Sequence, residues 1–544
     1  MSSSLPVTYP TEVPLQPNST VYPPPKPTPV TGATDRTDPA CSACQSPDQI
    51  PRRRFLQAGV VGLGAAALCP WLGSFAFASG AGDRKATPDM RLGSHDLVVL
   101  PVLMYSLPQR QPARSWRPWT GLQTPEAVEQ EVERINRELK ELARSADFPM
   151  RVLPVAKVTK VDEARALKEV QADALLLYAA GAWLGEINTL AGLGKWVVVF
   201  VRYRSGPYYY WHEGIHDRFL RAHTDQLKHP TVGFDDVVVD DNDEIRWRLR
   251  ALYGLKNVRG RRIVCIGGPG GWECPQAPDL ARQRFQLDMV TVPIREVEEL
   301  VQAARNDAPV MARCQQEAKA YLAQSGVTLR TTPKAVTEAF LLRKLYGELM
   351  TRVGAFAITN AGCMNSYAGI MPCLTLTLIN DDGRMAYCEG DFVNIPSGIL
   401  LHYISNKPTY FCNPTFPQKG RMLFAHCTAP RRMNGKTLEP VEIVTHYESD
   451  HGAATHVAFR KRQLLTILKP DFEAKHWLAL TGRILGTPRL DTCRAQVEVA
   501  LDADPQEVVR SLRGFHCMLA YGDYTKEVTY AASKVGITVQ TLKS

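Results

Sequence analysis

The sequence lacks the features that identify several large classes of protein. After the first 78 residues no segment approaches the run of about 20 apolar residues that a membrane-spanning helix requires, so a soluble protein is expected. The net charge of +9 comes without any stripe of lysine and arginine, which argues against nucleic acid as a partner. The 13 cysteines show no repeated C-x-x-C spacing, which argues against a structural zinc site. What remains is an ordinary globular composition, 45% hydrophobic and 22% charged.

The first 78 residues have the composition of a leader rather than of a folded domain. Seven prolines between Pro14 and Pro29 stand among serines and threonines, a mixture that buries too little apolar surface to fold. Three arginines at 52–54, a glycine-broken apolar run and the small-residue site ending at Ala78 then resemble a twin-arginine signal peptide. The protein is predicted to be exported by the twin-arginine machinery to the periplasm or beyond, with cleavage after Ala78 and no membrane attachment. An uncleaved anchor is the less favoured alternative.

Strand and helix patterns alternate through the next part of the chain. Amphipathic helix patterns, the clearest at 125–144, separate runs of apolar residues. The apolar runs typical of buried strands lie at 97–104, 175–178, 196–201 and 261–266. Such alternation predicts parallel sheets with helices on both faces. We expect two α/β domains, over residues 95–257 and 258–353.

The last third of the chain has strand patterns of a different kind. Residues 374–378 alternate with period two, a turn sequence follows at 381–383, and an apolar run resumes at 385–388. This order predicts a β-hairpin. Short strand candidates continue to Gln540, so residues 354–544 are expected to form a β-rich C-terminal domain.

One segment matches the H-E-x-x-H pattern of zinc hydrolases, in which two histidines one helical turn apart hold the metal. It runs from His212 to His216, and Gly214 within it weakens the helix that this geometry needs. We therefore favour a cleft-lining loop in which His212 contacts substrate. The zinc hydrolase is the alternative.

A glycine-rich turn follows the strand predicted at 261–266. Residues 267–271 fit neither the dinucleotide-binding nor the phosphate-binding glycine pattern, so no nucleotide cofactor is expected. A tight turn beside a cleft is the favoured interpretation, with Trp272 as a candidate substrate contact.

The densest group of chemically active side chains lies in the last third of the chain. Glu389 and Asp391 come directly after an apolar run, and His426 and His516 follow other strand candidates. Carboxylates and imidazoles at strand ends are ligands for a divalent cation such as Mn²⁺ or Mg²⁺. Residues 448–451 are interpreted as a solvated rim.

These segments resemble the C-terminal half of the L-fucose and L-arabinose isomerase-like superfamily. The resemblance rests on residues 372–391, 425–427 and 514–523, and the two preceding α/β units extend it to about 97–544. It implies two Rossmann-like parallel α/β units before a β-rich domain, and aldose–ketose interconversion through an ene-diol with a divalent metal, usually Mn²⁺. The roles implied are metal binding for Asp391, Glu389 and His516, catalysis for Glu389 and Asp391, and a place near the pocket for His426.

The chain departs from this family in residues 363–369. The isomerases bring a further glutamate from this segment, a metal ligand and proton carrier, whereas no acid occurs in it here. Its Asn365 and Tyr367 are retained as candidate substrate contacts. A two-base proton transfer next to a carbonyl therefore lacks one of its carriers.

Three functions remain open at this point. The first is a metal-dependent isomerase of altered site that acts on a free monosaccharide. The second is an exported glycoside hydrolase that uses a pair of carboxylates from Glu389, Asp391, Glu448 and Asp450. The third is a non-catalytic sugar-binding protein. All three have a sugar or oligosaccharide as ligand, and the superfamily's shared clefts imply a homo-oligomer.

Overall fold

The computed structural model describes residues 89–90, 93–181, 183–210 and 212–542, which belong to one compact unit spanning 84–544. The predicted leader, signal peptide and cleavage site lie outside these residues. Among the helices so described, none is long and apolar enough to cross a membrane.

The N-terminal part of this unit is a parallel sheet. Its strands are β1 (Leu97–Met104), β2 (Met150–Val152), β3 (Ala156–Val158), β4 (Ala174–Ala179), β5 (Trp196–Val201) and β6 (Val237–Val239). All pairings are parallel in the order β2-β1-β4-β5-β6, and β3 pairs with the end of β1. The strands predicted at 97–104 and 196–201 are confirmed residue for residue, because helix-covered strands bury both faces and are therefore continuously apolar.

Helices separate these strands. They are α1 (Pro125–Ser145), α2 (Val161–Ala166), α3 (Leu184–Ala191) and α4 (Asn242–Val258), with 3₁₀ turns at Leu167–Glu169 and Phe234–Asp236 and a π-type helix at His212–Leu220. The helix predicted at 125–144 is confirmed by α1. It begins after Thr124, whose hydroxyl accepts the N–H of Ala127. The buried residues of α1 recur with the helical period.

A second parallel sheet follows. The next strands are β7 (Arg262–Ile266), β8 (Asp288–Val292), β9 (Val327–Leu329), β10 (Ala357–Thr359) and β11 (Met385–Tyr387). The helices are α5 (Ala277–Phe285), α6 (Ile294–Arg305), α7 (Ala308–Leu322), α8 (Pro333–Val353), α9 (Cys373–Asp381) and α10 (Ile395–Ser405). Four strands pair in parallel in the order β11-β10-β7-β8. The predicted domain boundary at residue 354 lies between β8 and β10 of this sheet, and the three domain bounds stay predictions.

The hairpin predicted around residues 381–383 is wrong. Residues 374–378 belong to helix α9, and β11 pairs in parallel with β10. The reason is that α9 is buried along its whole length, so its sequence has no polar face to reveal the helical period. Thr375 and Thr377 donate their hydroxyls to the carbonyls of Ala339 and Ala429, which allows both threonines to lie in the core.

The C-terminal part is mostly antiparallel. It contains β12 (Tyr410–Pro414), β13 (Arg421–His426), β14 (Val441–Val444), β15 (Ala454–Val457), β16 (Leu464–Pro470), β17 (His476–Gly486), β18 (Ala495–Leu501), β19 (Cys517–Tyr521) and β20 (Thr538–Thr541), with helices α11 (Pro505–Ser511) and α12 (Thr525–Ser533). Seven strands pair in the order β16-β19-β12-β13-β18-β17-β20, and β16 also pairs with β17. That last pairing closes the sheet into a barrel-like ring. Strands β15, β14 and β9 form a small separate sheet.

The described chain is therefore a mixed α/β protein with two parallel sheets and an antiparallel, barrel-like sheet. This confirms the predicted fold class at that level. The second parallel sheet and the ring matter most for function, because the ends of β11, β13 and the residue before β19 deliver the predicted site residues.

Candidate functional site

The site begins where β11 ends. Cys388 and Glu389 follow this strand directly, and Glu389 has a φ of 62°, in the left-handed region that residues other than glycine seldom adopt. Gly390 beside it donates its N–H to the carbonyl of Asn360 (2.9 Å), and its own carbonyl accepts the N–H of Gly270 (2.9 Å). These bonds hold the strained turn in place, as is common where a backbone conformation serves a site.

Glu389 lies between two imidazoles. Its Oε1 is 3.4 Å from Nε2 of His426, and its Oε2 is 3.2 Å from Nε2 of His516. The three residues are almost completely buried, with exposures of 6% for Glu389 and 1% for each histidine. The structure thus brings together three residues that sequence reasoning placed in one pocket.

Asp391 orients one of these imidazoles. Its Oδ2 lies 2.7 Å from Nδ1 of His516, and its Oδ1 accepts the N–H of Val393 at 3.0 Å. When Nδ1 of His516 carries a proton, it donates a hydrogen bond to Asp391, and Nε2 on the other side of the ring faces Glu389. Carboxylates that hold one imidazole nitrogen in this way are typical outer partners of metal-binding histidines. The geometry therefore favours Asp391 as a positioning residue rather than as the metal ligand that the resemblance implies.

His426 ends strand β13 and is oriented by its neighbour Thr428. Its Nδ1 lies 3.0 Å from the hydroxyl oxygen of Thr428, which leaves Nε2 directed at Glu389. The ring of Phe411 packs against both His426 and His516, at centroid distances of 5.3 and 4.3 Å. Both histidines are therefore fixed in orientation by contacts outside the carboxylate that they share.

The electrostatics of the cluster keep the carboxylate ionised. Burial raises the pKa of Glu389, but the imidazoles of His426 and His516 outweigh burial and hold that pKa well below its ordinary value. Burial lowers the pKa of His516, yet Asp391 and Glu389 raise it above its ordinary value. Glu389 is thus ionised at rest, and it is available as an anionic ligand or as a proton acceptor.

The buried atoms of the cluster fit a cation. Oε2 of Glu389 and Nε2 of both histidines have no hydrogen-bond partner of good geometry within the described part of the chain. Buried polar groups without such partners call for an explanation, and a cation bound between them is one. One group found among the described residues could hold a metal, and it consists of Cys388, Glu389 and His426, whose ligand atoms all lie within 4.8 Å of one another.

Aromatic rings border the cluster on its open side. Trp272 stacks on Phe515 at a centroid distance of 4.7 Å and meets His516 edge-on at 5.6 Å. Trp272 is 49% exposed. Phe515 also lines a cleft of about 830 Å³ together with Phe416 and Phe472. The structure thus places Trp272 beside the site, as a substrate contact would require.

The other predicted substrate contacts lie in different surroundings. Tyr367 is completely buried, its hydroxyl accepts the N–H of Ala361, and its ring packs against Tyr346. Asn365 is half-buried in a turn in which its N–H donates to the carbonyl of Gly362. These contacts give Tyr367 a structural role in its loop.

The H-E-x-x-H segment is not part of this cluster. His212 and His216 stack on each other at 5.2 Å, and Glu213 forms an ion pair with Arg218. Within the described ranges this segment contributes no residue to a group that could hold a metal. The two histidines and the glutamate of the H-E-x-x-H segment are therefore occupied by contacts with each other and with Arg218 rather than grouped around a metal position.

The predicted rim and one missed residue complete the site. Glu448 is half-exposed, with the thiol of Cys363 at 3.8 Å, and the exposed Asp450 pairs with Arg494. Cys388 is not among the residues predicted for the site, because the cysteines of the sequence show no repeated metal-binding spacing. The only available signal was its place directly before Glu389.

No family model matches the chain, and no curated protein matches it with significance.

Proposed function

We propose that the protein is a metal-dependent sugar isomerase of altered site, acting on a free monosaccharide by aldose–ketose interconversion. The observation that carries this proposal is the buried Glu389 between the facing nitrogens of His426 and His516. These three residues would hold a divalent cation, for which the resemblance implies Mn²⁺. When bound, the cation would polarise neighbouring oxygens of the sugar as a Lewis acid.

The chain's own residues would perform the remaining steps. Asp391 fixes the orientation of His516 through Nδ1, and Trp272 offers an exposed ring against which a sugar can pack. Oε2 of the ionised Glu389 would take the proton from the carbon next to the carbonyl and return it to the former carbonyl carbon, while the hydroxyl proton passes to the former carbonyl oxygen. A single carboxylate that serves both carbons would replace the two-base transfer whose second carrier is missing from residues 363–369.

The order of sheets also supports this proposal. The two parallel sheets and the barrel-like sheet are compatible with the two Rossmann-like units and β-rich domain that the resemblance to the L-fucose isomerase-like superfamily implies. In a glycoside hydrolase Glu389 would be unsuited to the role of proton-donating carboxyl group, because its two imidazoles hold its pKa well below the ordinary value. Export, a homo-oligomeric state and the identity of the sugar stay predictions.

Isotope exchange tests the proposal. The metal-loaded protein is incubated with single free aldoses in D₂O, and NMR follows ketose formation and deuterium incorporation beside the carbonyl. Turnover is expected in the unaltered protein and in Glu213→Gln, a control acid of the H-E-x-x-H segment, and is expected to be lost in Glu389→Gln. Release of sugar from aryl glycosides without isomerisation would support the hydrolase instead, and ligand-induced stabilisation without exchange would support a binding protein.

A further inference from the structure

Cys388 belongs to the same buried group as Glu389 and His426. Its sulfur, a carboxylate oxygen of Glu389 and a ring nitrogen of His426 lie within 4.8 Å of one another. All three residues are buried, and Cys388 is only 1% exposed. A thiol in this position borders the cluster directly, although neither the resemblance nor the sequence patterns assign it a role.

The strained turn at Glu389 explains how the consecutive side chains of Cys388 and Glu389 both lie near His426. In an extended strand, neighbouring side chains point to opposite faces. The positive φ of Glu389 interrupts that alternation immediately after Cys388. As a result, the sulfur of Cys388 and a carboxylate oxygen of Glu389 both lie within 4.8 Å of a ring nitrogen of His426.

Other buried cysteines of the chain show what a purely structural thiol does. Cys412 lies in β12 and donates to the carbonyl of Cys517, and Cys265 lies in β7 and donates to the carbonyl of Ile263. Both thiols make weak contacts with the backbone of a strand, as small core residues do. Cys388 differs because its sulfur is close to a carboxylate and an imidazole, both of which are metal ligands.

We infer that Cys388 is a ligand of the metal site and that the site selects a thiophilic divalent cation of the Zn²⁺ class over Mn²⁺ and Mg²⁺. Sulfur, nitrogen and carboxylate donors together are typical of zinc, whereas magnesium and manganese prefer oxygen donors. His516 is placed to give a fourth ligand through Nε2, which faces Oε2 of Glu389 at 3.2 Å. Binding releases the thiol proton of Cys388 to solvent, since the thiolate is the form that coordinates.

This inference rests on the metal site of the proposed function but not on the isomerase reaction. It is tested with Co²⁺ as a spectroscopic probe in the full chain. A thiolate bound to Co²⁺ gives a strong near-ultraviolet charge-transfer band. We expect this band in the unaltered protein and in Cys412→Ser, the matched buried control, and we expect it to be absent from Cys388→Ser.

Competition defines the selectivity. Stoichiometric Zn²⁺ is expected to displace Co²⁺, whereas Mn²⁺ and Mg²⁺ are expected to fail even in about 100-fold excess. Cys388→Ser should weaken Zn²⁺ binding by at least about 100-fold and leave Mn²⁺ binding nearly unchanged. Cys388→Ala serves as a second variant, and circular dichroism with thermal unfolding checks that each variant folds.

The outcomes separate the two proposals. Co²⁺ that binds without the band, or a band that persists in both Cys388 variants, would overturn the role of Cys388. If bound metal is nevertheless lost in Glu389→Gln, the metal site itself stands. A protein that binds none of these cations would overturn the metal site and this inference together. A zinc protein with the thiolate band that catalyses no exchange in D₂O would overturn only the isomerase function.

Discussion

Two groups of histidines and carboxylates in this chain have similar residue types but differ in sequence spacing and in structure. The H-E-x-x-H segment places His212, Glu213 and His216 within one short stretch, whereas Glu389, His426 and His516 come from distant segments. In the first group, the imidazoles stack on each other and Glu213 pairs with an arginine. In the second group, two imidazoles face one carboxylate. In this chain, positions at the ends of different strands therefore indicate the candidate site better than closeness in the sequence does.

Burial explains why the two groups differ. His212 is exposed and Glu213 and His216 are partly exposed, so water can satisfy these imidazole and carboxylate groups. Glu389 and its histidines are cut off from water, so an ionised carboxylate there must be stabilised by its neighbours or by a cation. The low dielectric constant of the protein interior makes such a group costly wherever it is left without these partners.

The largest expected effect comes from removing the shared carboxylate. Glu389→Gln should reduce metal affinity by more than about 100-fold, since it removes the anionic ligand between the two imidazoles. Elemental analysis of the purified protein measures bound metal, with Glu213→Gln as the control. Full metal content in Glu389→Gln would show that Glu389 is no more a metal ligand than Glu213, and would contradict the metal site proposed at Glu389.

Asp391→Asn is expected to have an intermediate effect. The amide cannot hold His516 as the carboxylate does, so we expect metal affinity to fall by about 10- to 100-fold while the protein remains folded. Calorimetric titration with the metal measures this change. A loss as large as that of Glu389→Gln would indicate that Asp391 binds the metal directly, as the resemblance implies.

A buried carboxylate without histidines sharpens the comparison further. Asp381 accepts backbone N–H groups of Arg431 and Arg432, but burial raises its pKa from 3.8 to about 7. Between about pH 4 and pH 7 the carboxyl group of Asp381 is therefore protonated in the folded protein and ionised in the unfolded chain. The free energy of unfolding should fall by about 2–4 kcal/mol as the pH rises through that window.

Urea unfolding between pH 4 and pH 8 measures this dependence. Asp381→Asn should flatten it, because the amide has no proton to lose. Asp382→Asn is the matched control, since Asp382 is half-exposed and pairs with Arg343. An unchanged slope in Asp381→Asn would show that another group titrates.

The smallest expected effect concerns the other histidine group. The double substitution of His212 and His216 by alanine should leave bound metal and isomerisation within about twofold of the unaltered protein. Elemental analysis and the D₂O assay check both. Loss of stoichiometric metal in this variant would reinstate the H-E-x-x-H segment as the metal site and contradict the ranking of the two groups.

Much of the fold could be predicted because its parallel strands are continuous apolar runs. β1 and β5 were predicted residue for residue for that reason. Helix α9 was mistaken for a strand because burial on every side removes the polar face that marks a helix. The fold class follows from patterns along the chain, whereas a helix that is buried on every side lacks the polar face that would distinguish it from a buried strand.

The candidate site was predicted in part. Glu389, Asp391, His426 and His516 were recognised as polar residues next to apolar runs, and the structure brings them together. The positioning role of Asp391 depends on which atoms face which, and sequence does not contain that information. Cys388 was missed because a cysteine after an apolar run is compatible with a core residue and with a ligand alike.

The positions of Glu389, His426 and His516 have a consequence for folding. Glu389 follows a strand of the second parallel sheet, while the two histidines stand at strands of the barrel-like ring. A cation held by all three would link the second parallel sheet to the barrel-like ring. It would close long loops of the chain in the way a disulfide does, and the described cysteines form no disulfide. Metal binding would then raise the temperature at which the contact between the sheet and the ring is lost, whether or not the metal also supports a reaction.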